Sequence, residues 1–466
     1  MLLCQASSDR RNSKPEVSAI DVQADGRMPQ RRRRVLIVVS SFSPAMNADL
    51  HRARMLCFDL PKQGWEVEVL TPDASHQRPE TLEPSADLFY PRDLVQHAVQ
   101  PLFPRLFDCL GVRNPSYRGF WPMYKKGASL LASKKFDLVY FSTTCFVFFC
   151  LGSLFRWRFG IPYVLDFQDP WYRPEYKHIA TRHWIKWHVT RWMAKFLERL
   201  TARRAAGIVA VSPRYIDELI ARYSALKPLW IGQGKHEVIP FAASEDDLRV
   251  VRNASPTTPA RAHDGPLQIA YVGIGGATRS ESFRILCEGL ASLRRNSFAL
   301  ADRVRIDLHG TMIGWQAGDR RLLQEIADGF GVGELVCESP TTVTYHESLQ
   351  LAEQADGLLV LGVDDVAYMP SKLFSYLLFG KPVLLCLRDD SPPATLLATP
   401  DHSLGHIIRF GPASPSSPDE ITAVLRHFVE DVAAGRRHDR RAKLQGYLSS
   451  AMCQRHVEFF ERCLNG

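Results

Sequence analysis

The chain has 466 residues, too many for one hydrophobic core, so two or three domains of ordinary size are expected. Hydrophobic residues make up 45% and charged residues 23%, which excludes a chain too polar to fold. The formal net charge of +8 favours an anionic partner, whether nucleotide, phospholipid or nucleic acid. The ten cysteines are scattered without a CxxC pair, so neither a zinc ribbon nor a redox motif is supported, and a reducing cytosol is the simplest compartment.

Residues 1–33 are polar, lead into Arg31-Arg32-Arg33-Arg34 and hold no apolar segment. They predict a disordered tail rather than a signal peptide, with Met28 as a candidate start. The longest apolar run, Cys145 to Phe155, falls short of the ~20 residues that span a bilayer. Val35 to Ser40 is a β-branched apolar run and predicts a buried first strand. A helix opens at His51-Arg52 and ends near Gln63-Gly64, and Trp65 to Leu70 alternates into a second strand. This start is doubly wound in character, yet no G-x-G-x-x-G follows the first strand, which weighs against a dinucleotide site. Residues 74–130 are poorly periodic and rich in Pro, aromatic and basic residues, Phe103 to Phe107 among them. They read as an acceptor-binding lip, a membrane-resting surface or a pair of short packed helices.

Phe136 to Phe141 and Ile161 to Phe167 predict strands, and the second runs into Asp166-Phe167-Gln168-Asp169-Pro170-Trp171. Carboxylates at the carboxyl end of a parallel strand face a cleft. The competing reading is a strand-end turn whose Asp caps the next helix. From His178 to Ala206 the pattern is helical and dense in Trp, His and basic residues, with Trp184, Trp187 and Trp192 close to helical spacing. Such a helix suits a membrane interface or ordinary packing equally. Gly207 to Pro213 and His236 to Phe241 give the last strands of a domain spanning 34–241, and the polar stretch 242–265 reads as a linker.

A second domain, 266–440, opens with Leu267 to Val272 and the turn Gly273-Ile274-Gly275-Gly276-Ala277-Thr278-Arg279. Thr278 with Glu281 predicts a capping box and a helix from about Arg279. Glycines there let the backbone approach a diphosphate, and the helix end supplies N–H donors. Val304 to His309 and Glu334 to Cys337 predict strands, and Thr344 with Glu347 a second capping box. Gly357 to Gly362 is strand-like and precedes Met369-Pro370-Ser371-Lys372-Leu373-Phe374-Ser375-Tyr376. Pro370 suits the first turn of a helix, Gly380 the position past its end, and Val383 to Leu387 a buried parallel strand. Lys372 then stands at the carboxyl edge of a sheet, where a cation attracts anions; the bland alternative is a surface lysine on a βαβ crossover. Residues 441–466 predict a C-terminal helix.

The run P-S-K-L-F-x-Y-L-x-x-G-K-P-V-L resembles the nucleotide-sugar-binding segment of family-four glycosyltransferases with the GT-B fold. V-L-I-V-x-x-x-F-x-P, H-R-A-R-M-L and G-W-E-V-x-V-L-T-P resemble the opening of the same enzymes, and D-F-Q-D-P-W their D-F-R-D-P-W segment with Gln168 for Arg. The resemblance covers most of residues 34–440 and implies an α/β protein of GT-B type, two Rossmann-like doubly wound domains facing a central cleft. It implies that the last helix crosses back onto the first domain. It also implies a nucleotide-diphosphate sugar as donor, gripped by Gly273, Gly275, Gly276 and Arg279 on one side and by Ser371, Lys372 and Ser375 on the other. Transfer would be retaining and metal-independent, with no cofactor. Arg279 and Lys372 would steady the departing diphosphate, Asp166 and Asp169 would orient hydroxyls, and His51 and Arg52 would face the acceptor. Apart from the resemblance, the basic and aromatic residues suggest a saccharide or lipid-linked saccharide as acceptor, met in the cytoplasm at an anionic membrane face. No nucleic-acid reader module is recognisable. The chain departs from the family where Ser375 and Ala367 replace two acids, one of which holds the donor ribose. Asp364 and Asp365 are nearby substitutes. A serine cannot offer a carboxylate's bidentate acceptor, so a catalytically silent GT-B scaffold and a nucleotide-sugar epimerase stay open as alternatives.

Overall fold

A computed structural model describes residues 31–74, 79–102, 115–172, 184–254, 265–314, 316, 318–398 and 404–465. The tail at 1–30 and the Phe103 to Phe107 stretch lie outside the described residues.

Short apolar runs build two wholly parallel sheets. The first contains β1 (Arg33–Val38), β2 (Trp65–Pro72), β3 (Val95–Val99), β4 (Leu138–Ser142), β5 (Tyr163–Phe167), β6 (Gly207–Ala210) and β7 (His236–Val238), in the order β3-β2-β1-β4-β5-β6-β7. The second contains β8 (Leu267–Val272), β9 (Val304–His309), β10 (Val336–Ser339), β11 (Gly357–Leu361), β12 (Val383–Arg388) and β13 (His406–Phe410), in the order β10-β9-β8-β11-β12-β13. Each sheet starts in its middle, winds to one edge and returns to the other side. The order therefore reverses beside β1 and β8, and crevices for ligands open at their carboxyl ends. This is the pair of doubly wound domains the sequence predicts.

The longer helices are α1 (His51–Asp59), α2 (Pro115–Ser133), α3 (Phe149–Phe159), α4 (Trp184–Arg204), α5 (Pro213–Tyr223), α6 (Glu245–Ala254), α7 (Ser280–Arg295), α8 (Leu322–Gly329), α9 (Tyr345–Gln354), α10 (Leu373–Leu378), α11 (Pro418–Ala433) and α12 (Ser449–Leu464). Side chains alternate across a strand, so each sheet feeds a core on both faces. In β11, Leu358 and Val360 join one buried cluster, and Leu359 and Leu361 another. The first of these clusters runs through both lobes. The stacked rings of Phe374 and Tyr447, 4.2 Å apart, belong to it. Beyond them α12 packs on α1, with Phe460 against Trp65 and Tyr140.

Three stretches fold differently from what the sequence predicts. Residues 95–99 form an edge strand with only Val99 buried, a position that needs no apolar alternation. Residues 115–133 form one long helix despite Pro122. Proline removes the donor that Arg118 O would have received, and the Leu102 N–H takes that carbonyl at 3.1 Å. Gly127 is required there because a Cβ would lie 2.4 Å from the Phe155 ring of α3. The stretch read as a linker holds α6: Ser244 Oγ accepts the Asp247 N–H at 3.1 Å and starts a helix with three acids in its first turn. Residues 255–264 lie outside the described residues.

Candidate functional site

The turn after β8 is stitched to the end of β9, with Gly273 N–H on His309 O and Gly275 N–H on Thr311 O, both at 2.9 Å. A Cβ on Gly275 would stand 2.8 Å from Leu323 Cδ1, and Gly276 has φ of 71°, so both glycines answer to geometry. The capping box expected at Thr278 does not form. Ala277–Arg279 is a tight 3₁₀ turn, and α7 starts at Ser280 with Arg279 as its unassisted N-cap. Thr278 lies inside that turn and lacks the extended backbone an N-cap needs. The second box, Thr344 with Glu347, forms and opens α9.

Arg279 leans back from this turn. Its Nη1 donates to Thr278 Oγ1 and its Nη2 to the Tyr368 hydroxyl, each at 2.9 Å, with the guanidinium 5.3 Å over the Tyr368 ring. Its Nε is buried without a hydrogen-bond partner. Lys372 comes from the other side of the same crevice. The helix behind Pro370 begins only at Leu373 and has six residues, so Lys372 is its N-cap, not part of its first turn. So short a helix has little dipole, and the cation itself is the main attraction for an anion. Lys372 Nζ donates to Val272 O at 2.7 Å, and a Cβ on Gly273 would come within 3.7 Å of it. Burial, then the neighbouring Arg279, lowers the Lys372 pKa to about 8. Neither cation has a carboxylate partner among the described residues. Tyr376 of the same motif fastens α10 to β8 by accepting the Val272 N–H at 3.3 Å.

The first lobe faces this pair with His51 and Asp169. The His51 ring lies 4.4 Å from the Tyr345 ring of α9, and burial, Arg54 and Lys372 hold its pKa down near 3. It is a neutral imidazole with an unpartnered Nδ1. Asp169 is exposed, close enough for its charge to act on the Tyr368 hydroxyl. The lobes are tied beside His51. Asp247 of α6 takes both ends of the buried Arg54 guanidinium and the Tyr345 hydroxyl, the last at 2.7 Å. Glu83 accepts the His346 N–H at 2.9 Å. An apolar cavity of about 460 Å³ lies between the lobes, where Pro213, Val238 and Pro240 meet Val366, Met369 and Leu396.

Arg52 and Asp166 do not reach the crevice. Both are wholly buried in the first lobe, Arg52 Nε 3.4 Å from Asp166 Oδ2. Ser142 and Gln168 donate to the same carboxylate at 3.1 Å, and Arg52 Nη2 donates to Ile239 O at 2.5 Å. The sequence places Asp166 at a strand end, but its side chain turns into the core and ties β4, β5 and α1 together. Ser371 and Ser375 are half-buried around Lys372. Asp364 pairs with Arg388, and Asp365 Oδ1 accepts the Ala367 N–H at 2.9 Å. Tyr368, Tyr271, Tyr345 and Asp247 escaped the sequence reading. Ser244 ahead of Asp247 was the available signal for the last, and no local pattern marks the tyrosines. Among the described residues no group of three or more His, Cys, Asp or Glu could hold a metal ion.

The profile of the glycosyl transferase 4-like domain matches residues 51–228. That match spans 178 of the 466 residues, and the two-sheet architecture is the GT-B fold. No curated protein matches the chain in sequence. Among solved structures it is similar to HepE from Anabaena in complex with UDP, at 14% identity and a TM-score of 0.57 over 92% of this chain and 99% of that one. It is similar as well to a UDP-forming trehalose-phosphate synthase from Burkholderia xenovorans, at 11% identity and TM-score 0.57 over 92% and 99%. WaaG, a glycosyltransferase involved in lipopolysaccharide biosynthesis, matches at 14% identity and TM-score 0.54 over 91% and 99%. At these identities the likeness is one of fold. The resemblance drawn from the sequence motifs and the two-sheet architecture agree with it.

Proposed function

We propose that this protein is a glycosyltransferase that moves a sugar from a nucleotide-diphosphate donor to a saccharide or lipid-linked acceptor held by the first lobe, in cell-surface polysaccharide synthesis. The observation that carries the reading is the pair Arg279 and Lys372. Two adjacent cations without a carboxylate, one of them with a pKa lowered to about 8, stand over a turn that Gly273 keeps open. A pyrophosphate would supply the missing negative charge, and hydrogen bonds to charged groups in such a place are strong. The UDP seen with HepE supports a uridine nucleotide.

In the reaction the bond between the sugar C1 and the β-phosphate oxygen breaks, and the electron pair stays on that oxygen. Arg279 and Lys372 stabilise the charge as it grows. The acceptor oxygen attacks C1 from the same face, and its proton passes to the departing phosphate, so configuration is retained and no protein nucleophile is needed. Asp169 and the neutral His51 orient hydroxyls from the first lobe. Gly273 and Gly276 give backbone room to the diphosphate, Gly275 lets the turn pack on Leu323 and Thr311, and Ser371 and Ser375 add single hydroxyl contacts. With Ser375 where the resembling enzymes carry an acid, ribose contact is weaker and the diphosphate contributes most of the affinity.

Calorimetric titration of UDP into wild type and Lys372→Ala tests this. Loss of one charge-assisted contact predicts binding weaker by roughly 10- to 150-fold. Equal affinity would remove Lys372 from the site. Binding of UDP without turnover of any UDP-sugar, in hydrolysis or transfer, would favour the silent scaffold.

A further inference from the structure

Three helices cover one side of the first sheet. The Tyr163 hydroxyl of β5 pairs with Ser153 Oγ of α3 at 3.0 Å and donates to Thr201 O of α4 at 2.7 Å, so α3 and α4 share that side. α2 packs next to α3 through Gly127 and Phe155, and Arg158 of α3 donates to the Tyr124 hydroxyl of α2 at 3.1 Å. The outer surface of this layer is unusual in two respects. Large apolar side chains stand in water: Trp157 on α3 is 76% exposed and Trp192 on α4 68%. Along α4 the exposed apolar residues recur as Val189, Trp192, Phe196 and Leu200, a helical ridge whose Trp192 and Phe196 rings stack at 5.6 Å. The charge beside it has one sign. The three helices contain a single acidic residue, Glu198, and that is wholly buried against Tyr223 and Arg222. Lys125, Lys126, Arg158, Lys195, Arg199 and Arg203 are all exposed.

We infer that this face docks on an anionic lipid bilayer. An exposed aromatic and aliphatic ridge can enter the headgroup region while flanking lysines and arginines meet lipid phosphates. Tryptophan suits that boundary because its ring is apolar and its N–H finds a polar partner. None of the longer described helices is apolar enough to cross a membrane, so contact would be peripheral. The inference is independent of the donor site, since none of these residues lines the crevice between the lobes.

Co-sedimentation of the full chain with vesicles tests it. Vesicles of phosphatidylcholine and phosphatidylglycerol should bind the wild type at low salt, and vesicles of phosphatidylcholine alone should bind it weakly. Binding should weaken as salt rises, because exposed charges are screened. Combining Trp157→Ala, Trp192→Ala and Phe196→Ala should lower partitioning by roughly tenfold or more. Lys195→Ala with Arg199→Ala should lower it by roughly fivefold for each charge removed. UDP affinity should stay at the wild-type value in both variants, which separates this test from that of the donor site. A wild type that stays in the supernatant with both vesicles overturns the inference and leaves an acidic protein as the partner this face fits. So does a triple variant that binds like the wild type.

Discussion

Each lobe carries an arginine-led cluster near the switch point of its sheet, and the two clusters differ in what balances them. In the first lobe Arg52 faces Asp166, and both are completely enclosed. In the second lobe Arg279 has another cation, Lys372, as its charged neighbour, and among the described residues the two donate to neutral groups, the Thr278 and Tyr368 hydroxyls and the Val272 carbonyl. The first cluster is closed in charge, a carboxylate standing beside the guanidinium, although Arg52 Nε and Asp166 Oδ1 make no hydrogen bond. The second is left with net positive charge in a desolvated place, which is unfavourable until an anion arrives. Position at a strand end therefore does not separate a structural group from a binding group. On the donor-site reading proposed above, counter-charge does.

The largest expected effect comes from opening the closed cluster. Asp166→Ala leaves Arg52 buried without its partner and should destabilise the fold by ~3–5 kcal/mol. Urea unfolding monitored by tryptophan fluorescence measures this. The folded fraction should bind UDP as the wild type does. A variant of unchanged stability that binds UDP and has lost turnover would move Asp166 into the reaction and erase the contrast between the clusters.

A smaller effect is expected at the open cluster from Tyr368→Phe. The substitution removes the acceptor of the Arg279 Nη2 bond and keeps the ring under the guanidinium. The lost bond is worth roughly 0.5–1.5 kcal/mol, or about two- to twelvefold in UDP affinity if Arg279 must be held for the diphosphate. The unfolding midpoint should hardly move, because the hydroxyl lies at the crevice edge of the second lobe. Loss of stability with intact affinity would make Tyr368 a packing residue.

Much of this architecture was legible in the sequence for a simple reason. Parallel strands buried on both faces are short continuous apolar runs, and Val35 to Val38, Leu358 to Leu361 and Val383 to Leu387 are such runs. The edge strand Val95–Val99 was not, because an edge needs little apolar residue. Helix α2 was hidden by Pro122 and by glycines that serve close packing. That Lys372 and Arg279 share one crevice was legible from motif and turn, whereas the fate of Arg52 and Asp166 was not. Residues 52 and 166 are over a hundred positions apart, and no local pattern records which way each side chain turns. The G-K-P of the motif teaches the same caution. Gly380 closes α10 at φ of 76°, and Lys381 sends its ammonium to the last carbonyls of α9, Ala352 O at 3.0 Å and Ala355 O at 2.6 Å. That lysine is structural, nine residues from one proposed to bind the donor.

These two lysines give the finest test of the contrast. Burial lowers both to a pKa of about 8 in the folded chain, against an ordinary 10.5. A lowered lysine pKa means that the unfolded chain holds more protons between about pH 8 and 10.5, so stability from these groups rises with pH across that window. Donor affinity should run the other way, constant below pH 8 and falling above it by at most about tenfold per unit as Lys372 loses its charge. Lys372→Met should flatten the affinity profile and remove part of the stability slope, since Lys381 still contributes the rest. Lys381→Met should reduce the stability slope and leave the affinity profile as it was. UDP titrations and urea unfolding from pH 7 to 10 measure both. An affinity profile that bends with Lys381 instead of Lys372 would assign the anion to the wrong lysine and break the distinction between the matched and unmatched clusters.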